Sequence, residues 1–198
     1  MEKIGDGAEA VIYKDINVIK DRVKKSYRHK DIDERLRKFR TKRESKILQK
    51  LSEINFPAPK LIESNDKEMK IEMEFIGGPK LKDKLENDDY KKLCKEIGKL
   101  VGTIHNHNII HGDLTTSNMI LDHDGIVFID FGLSFFSHKV EDMAVDIHLF
   151  KQALESKHYK IAEDGWKEFL KGYKNCEKYK EVLERFNVVE LRGRNKHK

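Results

Sequence analysis

Short runs of alternating apolar and polar residues fill the first third of the chain, and helical spacing takes over after it. Residues 10–13 and 18–20 read as strands around a Lys14-Asp15-Ile16-Asn17 turn. Val18 and Lys20 share a face there, because strand side chains alternate. A helix is predicted over 31–51: Ile32, Leu36 and Phe39 begin its apolar stripe, and Ile47, Leu48 and Leu51 finish it. Glu44 falls on that inward stripe, where a carboxylate needs a partner. Lys20 is the obvious one, and a tolerated edge glutamate is the plainer alternative.

Phe56-Pro57-Ala58-Pro59 is a loop, and residues 60–62 and 70–75 read as two more strands. Gly77-Gly78-Pro79 then breaks the chain. Beyond it an amphipathic helix is expected over 89–106, carrying Leu93, Cys94, Ile97, Leu100, Val101 and Ile104. Short apolar runs at 119–121 and 126–129 flank the turn Asp122-His123-Asp124-Gly125 and predict a hairpin. Three helical stretches follow, at 140–156, 161–173 and 177–186. The organisation is α+β: a β-rich lobe with one helix over 1–76, a mostly helical lobe over 77–191, and a basic, disordered tail over 192–198, with a cleft between the lobes.

Charge changes this picture in one place. The 198 residues carry a net charge of +5, but residues 20–50 hold fourteen Lys or Arg against five Asp or Glu, so the rest of the chain is mildly acidic. Arg22, Lys24, Lys25, Arg28, Arg35, Arg37, Lys38, Arg40, Lys42 and Arg43 could form a face for a phosphate backbone or only a solvated surface. Two cysteines, Cys94 and Cys176, form no close pair and suggest no disulfide framework. No apolar run approaches membrane-spanning length and no apolar leader is visible, so a cytoplasmic protein is expected.

The chemistry concentrates in His111-Gly112-Asp113-Leu114-Thr115-Thr116-Ser117-Asn118, followed twelve positions later by Asp130-Phe131-Gly132. The first fits the H-R-D-x-x-x-x-N catalytic loop with Gly112 in place of arginine, and the second is the D-F-G metal element. The predicted hairpin brings Asn118 and Asp130 to one open end, where two oxygen-bearing side chains suit a hard cation such as Mg²⁺. Asp113, one loop upstream, is placed to accept a proton or orient a water.

ATP-dependent phosphoryl transfer needs neutralised and positioned phosphates. Gly5, Asp6 and Gly7 supply a glycine-rich turn, weak as a lone motif because Ala10 stands where a third glycine is usual. With Ile4, Ala8, Glu9, Ala10, Val11 and Ile12 it forms the candidate loop over the nucleotide. Lys20 would hold phosphates and Glu44 would hold Lys20, with Lys24 and Lys25 as rivals for that role. Glu74 and Ile76, just before the glycine break, would meet adenine. His105, His107 and His111 cluster in sequence, but no second cluster completes a zinc site. Asp146 could brace the catalytic loop from below or be an ordinary helix aspartate.

Together with Gly7-Ala8-Glu9-Ala10, Tyr27-Arg28-His29, Arg40-Thr41-Lys42-Arg43-Glu44, Glu141-Asp142-Met143-Ala144-Val145-Asp146 and Arg192-Gly193-Arg194, these motifs resemble the small atypical kinase subunit of the KEOPS complex, the PRPK family. The resemblance covers nearly the whole chain. It implies a minimal bilobal protein-kinase-like fold with a very short activation segment. It implies ATP and Mg²⁺ as cofactors, ATPase and serine/threonine autokinase activity, and support of threonylcarbamoyl-adenosine modification of tRNA. Lys20, Glu44, Asp113, Asn118 and Asp130 would handle ATP and metal. The implied partners are the ATPase-fold threonylcarbamoyl-transferase subunit, a small regulatory subunit on the N-lobe, and tRNA through the complex. Arg192, Arg194, Lys196 and Lys198 of the tail would point toward tRNA or partner. Some archaeal members are the kinase half of a fusion with the transferase.

Two departures from ordinary protein kinases stand out. Gly112 replaces the arginine that reads activation-loop phosphorylation. Only 13 residues separate Gly132 from Asp146, with no A-P-E motif, which leaves little platform for a peptide substrate. Small-molecule phosphotransferases also carry H-G-D, but usually with larger helical insertions, for which this chain has little room. A nucleotide-binding scaffold without turnover is the remaining alternative.

Overall fold

The computed structural model describes residues 2–6 and 10–194. A five-stranded antiparallel sheet in the order β1-β2-β3-β5-β4 is built from β1 (Glu2–Asp6), β2 (Val11–Lys14), β3 (Val18–Asp21), β4 (Leu61–Asn65) and β5 (Lys70–Met73). Helix α1 (Lys30–Glu53) packs against it through Ile47, Leu48 and Leu51, all buried. Asp31 and Asp33 in its first turn and Lys50 in its last complement the helix dipole. The helical part holds α2 (Tyr90–Asn106), α3 (Val140–Lys157), α4 (Ala162–Tyr173) and α5 (Tyr179–Arg194). No helix among the described residues is long and apolar enough to cross a membrane.

The expected stripe of α1 holds only in its second half. Ile32 and Phe39 are 58% and 57% exposed, so they do not continue the inward face. The first half of the helix buries Asp33 and Thr41 instead, and Asp33 receives the Arg37 guanidinium at 2.7 Å. Helix α2 follows its predicted stripe. The Asp89 carboxylate caps it by accepting from Lys92 N at 3.1 Å. Its glycines explain how closely α4 approaches: a Cβ on Gly98 would sit 2.0 Å from Phe169 O, and one on Gly172 of α4 would sit 1.9 Å from Lys95 O.

The last helix runs further than expected. Helix α5 continues past Phe186 through Arg194, because Val182, Phe186 and Val189 keep one apolar face in the core. Charges from α3 hold its outer side: Glu190 meets His148 at 2.8 Å and Lys151 at 2.5 Å, and Glu141 pairs with Arg185 and, at 2.7 Å, with Arg192. Arg192 is thus a helical residue with an ion-pair partner, not part of a disordered tail. Arg194 ends the same helix, while Lys196 and Lys198 lie outside the described residues.

Two small sheets place the chemistry. Strands β7 (Met119–Asp122) and β8 (Gly125–Phe128) form the predicted hairpin, with Met119 opposite Phe128 and Asp122 opposite Gly125. Strands β6 (Ile109–Ile110) and β9 (Phe135–Phe136), too short to be read from pattern, pair antiparallel. They tie the residue before His111 to the segment just after Asp130-Phe131-Gly132.

Candidate functional site

Lys20 sits third in β3, opposite Ile71 of β5, and is 6% exposed. Its Nζ donates to Glu44 Oε1 and to Asp130 Oδ1, each at 2.7 Å. Burial works to strip its proton, but the carboxylates of Glu44 and Asp130 prevail and raise its pKa above the usual lysine value. Burial likewise opposes ionisation of Asp130, and the Lys20 ammonium overcomes it and lowers that pKa. Glu44, buried on α1, is where the inward spacing of its helix puts it.

Glu44 has a second cation. Arg22, two residues beyond Lys20 and one past the end of β3, is 2% exposed and binds Glu44 Oε2. In the sequence Arg22 falls in the basic face that could serve a phosphate backbone or only solvent, and the structure buries it instead. The signal that would have found it is the same period of two that placed Lys20. Other members of that face are also spent on internal pairs: Arg28 and Arg37 meet Asp33, and Lys38 and Lys42 meet Asp66 at 3.8 and 2.9 Å.

Asp130 has φ 61° and ψ 66°, in the left-handed region, and its side chain is half exposed. Aspartate tolerates this conformation better than most residues. Phe131, buried, packs 4.9 Å from the His111 ring. Gly132 lies against the ion cluster: a Cβ there would be 3.1 Å from Lys20 Nζ and 3.4 Å from Arg22 Nη2.

The hairpin delivers Asn118 beside Ile129, whose N–H donates to Asn118 O at 2.9 Å. Asn118 Nδ2 donates to Asp113 Oδ2 at 2.8 Å and to Asp113 O at 2.9 Å. Two acceptors fix the orientation of this amide and leave Oδ1 as its free acceptor. Asp113 and Asn118 therefore form one contact pair, and Lys20, Glu44, Arg22 and Asp130 a second cluster. His111 senses Asp146, Asp130 and Asp113 together, yet burial dominates and lowers its pKa.

Asp146 resolves in favour of bracing. It is 1% exposed, and its carboxylate accepts from Gly112 N and His111 N, both at 2.8 Å, and from His105 Nε2 at 3.2 Å. His105 Nδ1 in turn lies 2.7 Å from the hydroxyl of buried Tyr173. His105 thus serves the loop rather than a metal, and His107 bonds Thr103 O at 2.9 Å. No group of three or more potential metal-ligating His, Cys, Asp or Glu occurs among the described residues. Gly112 has φ 79°, and a Cβ there would lie 2.7 Å from Leu133 O. The arginine of ordinary kinases does not fit this backbone.

The candidate nucleotide loop is only partly within the described residues. Gly5 and Asp6 belong to β1, opposite Ile12 and Val11, and Ile4 sits at a bulge, 45% exposed. Ala10 and Val11 are buried. Gly7, Ala8 and Glu9 lie outside the described residues. Glu74 N donates to Lys60 O at 2.9 Å, next to Ile76 and the glycine break.

Known proteins match this arrangement. The sequence profile of the RIO domain family matches residues 8–148. The KEOPS complex subunit Bud32 of Pyrococcus abyssi is 44% identical, over 98% of this chain and 96% of its own length. A probable bifunctional tRNA threonylcarbamoyladenosine biosynthesis protein of Methanocaldococcus jannaschii is 42% identical over 96% of this chain, which spans 36% of that longer protein. Among solved structures, the Rio2 kinase of Chaetomium thermophilum, in complex with ADP, Mg²⁺ and phosphoaspartate, matches with a TM-score of 0.65 at 17% identity. That match covers all of this chain and 71% of the fungal one, and it establishes the protein-kinase-like fold. The chain belongs to the RIO domain family, together with its Bud32 relatives.

Proposed function

We propose that this chain binds and turns over ATP with Mg²⁺, as an ATPase and serine/threonine autokinase. We further propose that it does so within a KEOPS-type assembly that supports threonylcarbamoyl-adenosine modification of tRNA. One observation carries the chemistry: a buried lysine shared by Glu44 and Asp130, beside a loop in which Asn118 holds Asp113. Lys20 binds phosphate oxygens, and Glu44 with Arg22 keeps it charged and aimed. Asp130, half exposed, and the free Oδ1 of Asn118 are hard oxygen donors that fit Mg²⁺. When bound, Mg²⁺ neutralises charge on the phosphates. Asp113 orients the attacking hydroxyl or water and accepts its proton. Residues 4–12 cover the nucleotide, and Glu74 and Ile76 meet adenine.

The short segment between Gly132 and Asp146 favours water or the chain's own hydroxyls as acceptor over a docked peptide. The names of the relatives support the assembly, and the longer bifunctional relatives support a transferase partner physically coupled to a domain of this kind. A small regulatory subunit on the N-lobe and tRNA reached through the complex complete the proposal. Two free, buried cysteines suit a reducing cytoplasm. The test is ATP hydrolysis without any peptide substrate. Turnover is expected in the intact chain and lost in both Asp113→Ala and Asp130→Ala. Wild-type rates in both variants would remove the proposal.

A further inference from the structure

A groove of about 470 Å³ opens beside the catalytic loop. Thr115 and Ser117, which lie between Asp113 and Asn118, line it together with Lys82, Gln152, Ser156 and Lys157. No carboxylate contributes to its lining. Among the described residues neither Lys82 nor Lys157 has an ion-pair partner, and the Thr115 and Ser117 hydroxyls engage no other group. The wall behind it is fixed. Thr116 Oγ1 lies 3.0 Å from Nε2 of His158, which is 1% exposed, and His158 Nδ1 lies 3.3 Å from Glu86 Oε1. This chain of contacts clamps the catalytic loop to the end of α3, so whatever fills the groove presses on the loop that carries Asp113.

Two positive charges and several free donors, with no acid among them, select an anion. Lysine is a point charge that suits phosphate, while paired carboxylates are better met by the arginine fork. A second feature narrows the ligand. Tyr159, two residues after Lys157, is 71% exposed at the end of α3, and Lys160 Nζ lies 5.9 Å from its ring centre. Tyr159 lies outside the lining itself, and a solvent-facing aromatic flanked in sequence by Lys157 and Lys160 offers a stacking surface beside it. The basic stretch over residues 20–50 is a poorer candidate, since its Arg22, Arg28, Arg37, Lys38 and Lys42 are paired with carboxylates of this chain.

We propose that this groove binds an RNA strand: Lys82 and Lys157 hold backbone phosphates, Thr115 and Ser117 donate to them, and an unpaired base stacks on Tyr159. The proposal deepens the tRNA-linked function above and rests on it. RNA in the groove lies against the catalytic loop, which gives a physical route from RNA binding to ATP turnover.

The test uses the full chain with charge reversal at both lysines, K82E/K157E, and separately Tyr159→Ala. Affinity for a tRNA transcript is measured by fluorescence anisotropy across a salt series, and basal ATP turnover without RNA is measured on the same samples. Losing two phosphate contacts should make the slope of log affinity against log salt shallower by roughly 1.4 to 1.8. Affinity of the double variant should fall by about tenfold or more at low salt. Tyr159→Ala should weaken binding several-fold with an unchanged slope. Basal turnover should match wild type in both, since none of these residues belongs to the nucleotide cluster. A wild-type slope and affinity in K82E/K157E overturn the groove, as does a wild-type chain that does not bind the transcript. An acidic peptide that binds in place of RNA and is lost in the double variant overturns it too. Absence of basal turnover in the wild type is a separate result, and it removes the ATPase reading instead.

Discussion

Asp146→Asn isolates the brace beneath the catalytic loop with almost no change in volume. The wild-type carboxylate offers only acceptors: Oδ1 to Gly112 N, Oδ2 to His111 N and His105 Nε2. An asparagine has one acceptor and one donor. If its nitrogen replaces Oδ1, it faces the Gly112 N–H; if it replaces Oδ2, it faces the His111 N–H. His105 can change tautomer to accommodate the second case, with the Tyr173 hydroxyl accepting from Nδ1, but a backbone N–H cannot. Either orientation leaves one buried donor unsatisfied, at about 1–3 kcal/mol. The bonds that survive lose their charge-assisted character, roughly 0.5–1 kcal/mol each. The expected loss is about 3 kcal/mol. With a urea m-value of about 2 kcal/mol/M, the midpoint should fall by about 1.5 M. The fluorescence of Trp166, the sole tryptophan, stacked 5.1 Å from Phe169, reports the transition.

The pH dependence of that loss has a definite sign. Burial pushes the Asp146 pKa up, but the hydrogen bonds from His105 and from the His111 backbone, with the neighbouring rings, outweigh it, and the folded value lies below the ordinary 3.8. A depressed carboxylate stabilises the fold above its unfolded pKa and loses that contribution as pH falls through the folded one. The gap between wild type and Asp146→Asn should therefore be flat from pH 7 to about 5 and close below about 4. A midpoint shift under about 0.3 M at pH 7, or a gap that widens in acid, refutes the brace.

Two further outcomes follow from the same neighbourhood. Restoring the usual kinase arginine, Gly112→Arg, puts a side chain on φ 79° with its Cβ 2.7 Å from Leu133 O. The strain is about 2–3 kcal/mol, which for a chain this long lowers Tm by about 5–10 °C in calorimetry; an unchanged melting temperature contradicts the steric account. Cys94, its thiol pushed up to about 12 by burial with help from the Glu168 charge, should resist iodoacetamide at pH 8 and label only as urea opens the α2–α4 packing. Fast labelling of the native protein, followed by peptide mass spectrometry, would contradict that.

Legibility in the sequence followed the range of the interactions. The hairpin that joins Asn118 to Asp130 was readable because both strands and the turn lie within twelve residues. The α2 stripe was readable because one period fixes it. The Lys20–Glu44 pair spans 24 positions and was still readable, since each residue is polar on an apolar face and each needs the other. The Arg22–Glu44 pair was missed because arginine in a charge-rich run looks solvated, though its alternation with Lys20 marked it as inward. Ile32 and Phe39 misled in the opposite way: their spacing fits a stripe, but both are exposed, and this half of α1 buries Asp33 and Thr41 instead. The link from Tyr173 through His105 to Asp146 crosses 68 and then 41 positions and has no local pattern at all.

Arg22 also bears on how the proposed site keeps its balance. Lys20 and Arg22 against Glu44 and Asp130 make two positive and two negative charges in one cluster, buried except for the half-exposed Asp130, each carboxylate within reach of a cation. Were Lys20 the only cation, any shift of its ammonium toward a phosphate would leave Glu44 charged, buried and unpaired, which is among the more destabilising arrangements a protein interior can hold. With Arg22 fixed on the other carboxylate oxygen, Glu44 stays compensated while Lys20 divides its donors between Asp130 and a ligand. The second cation thus separates two tasks that a lone lysine would have to combine. Arg22 keeps the inner carboxylate satisfied, and Lys20 is left free to answer to whatever binds at Asp130.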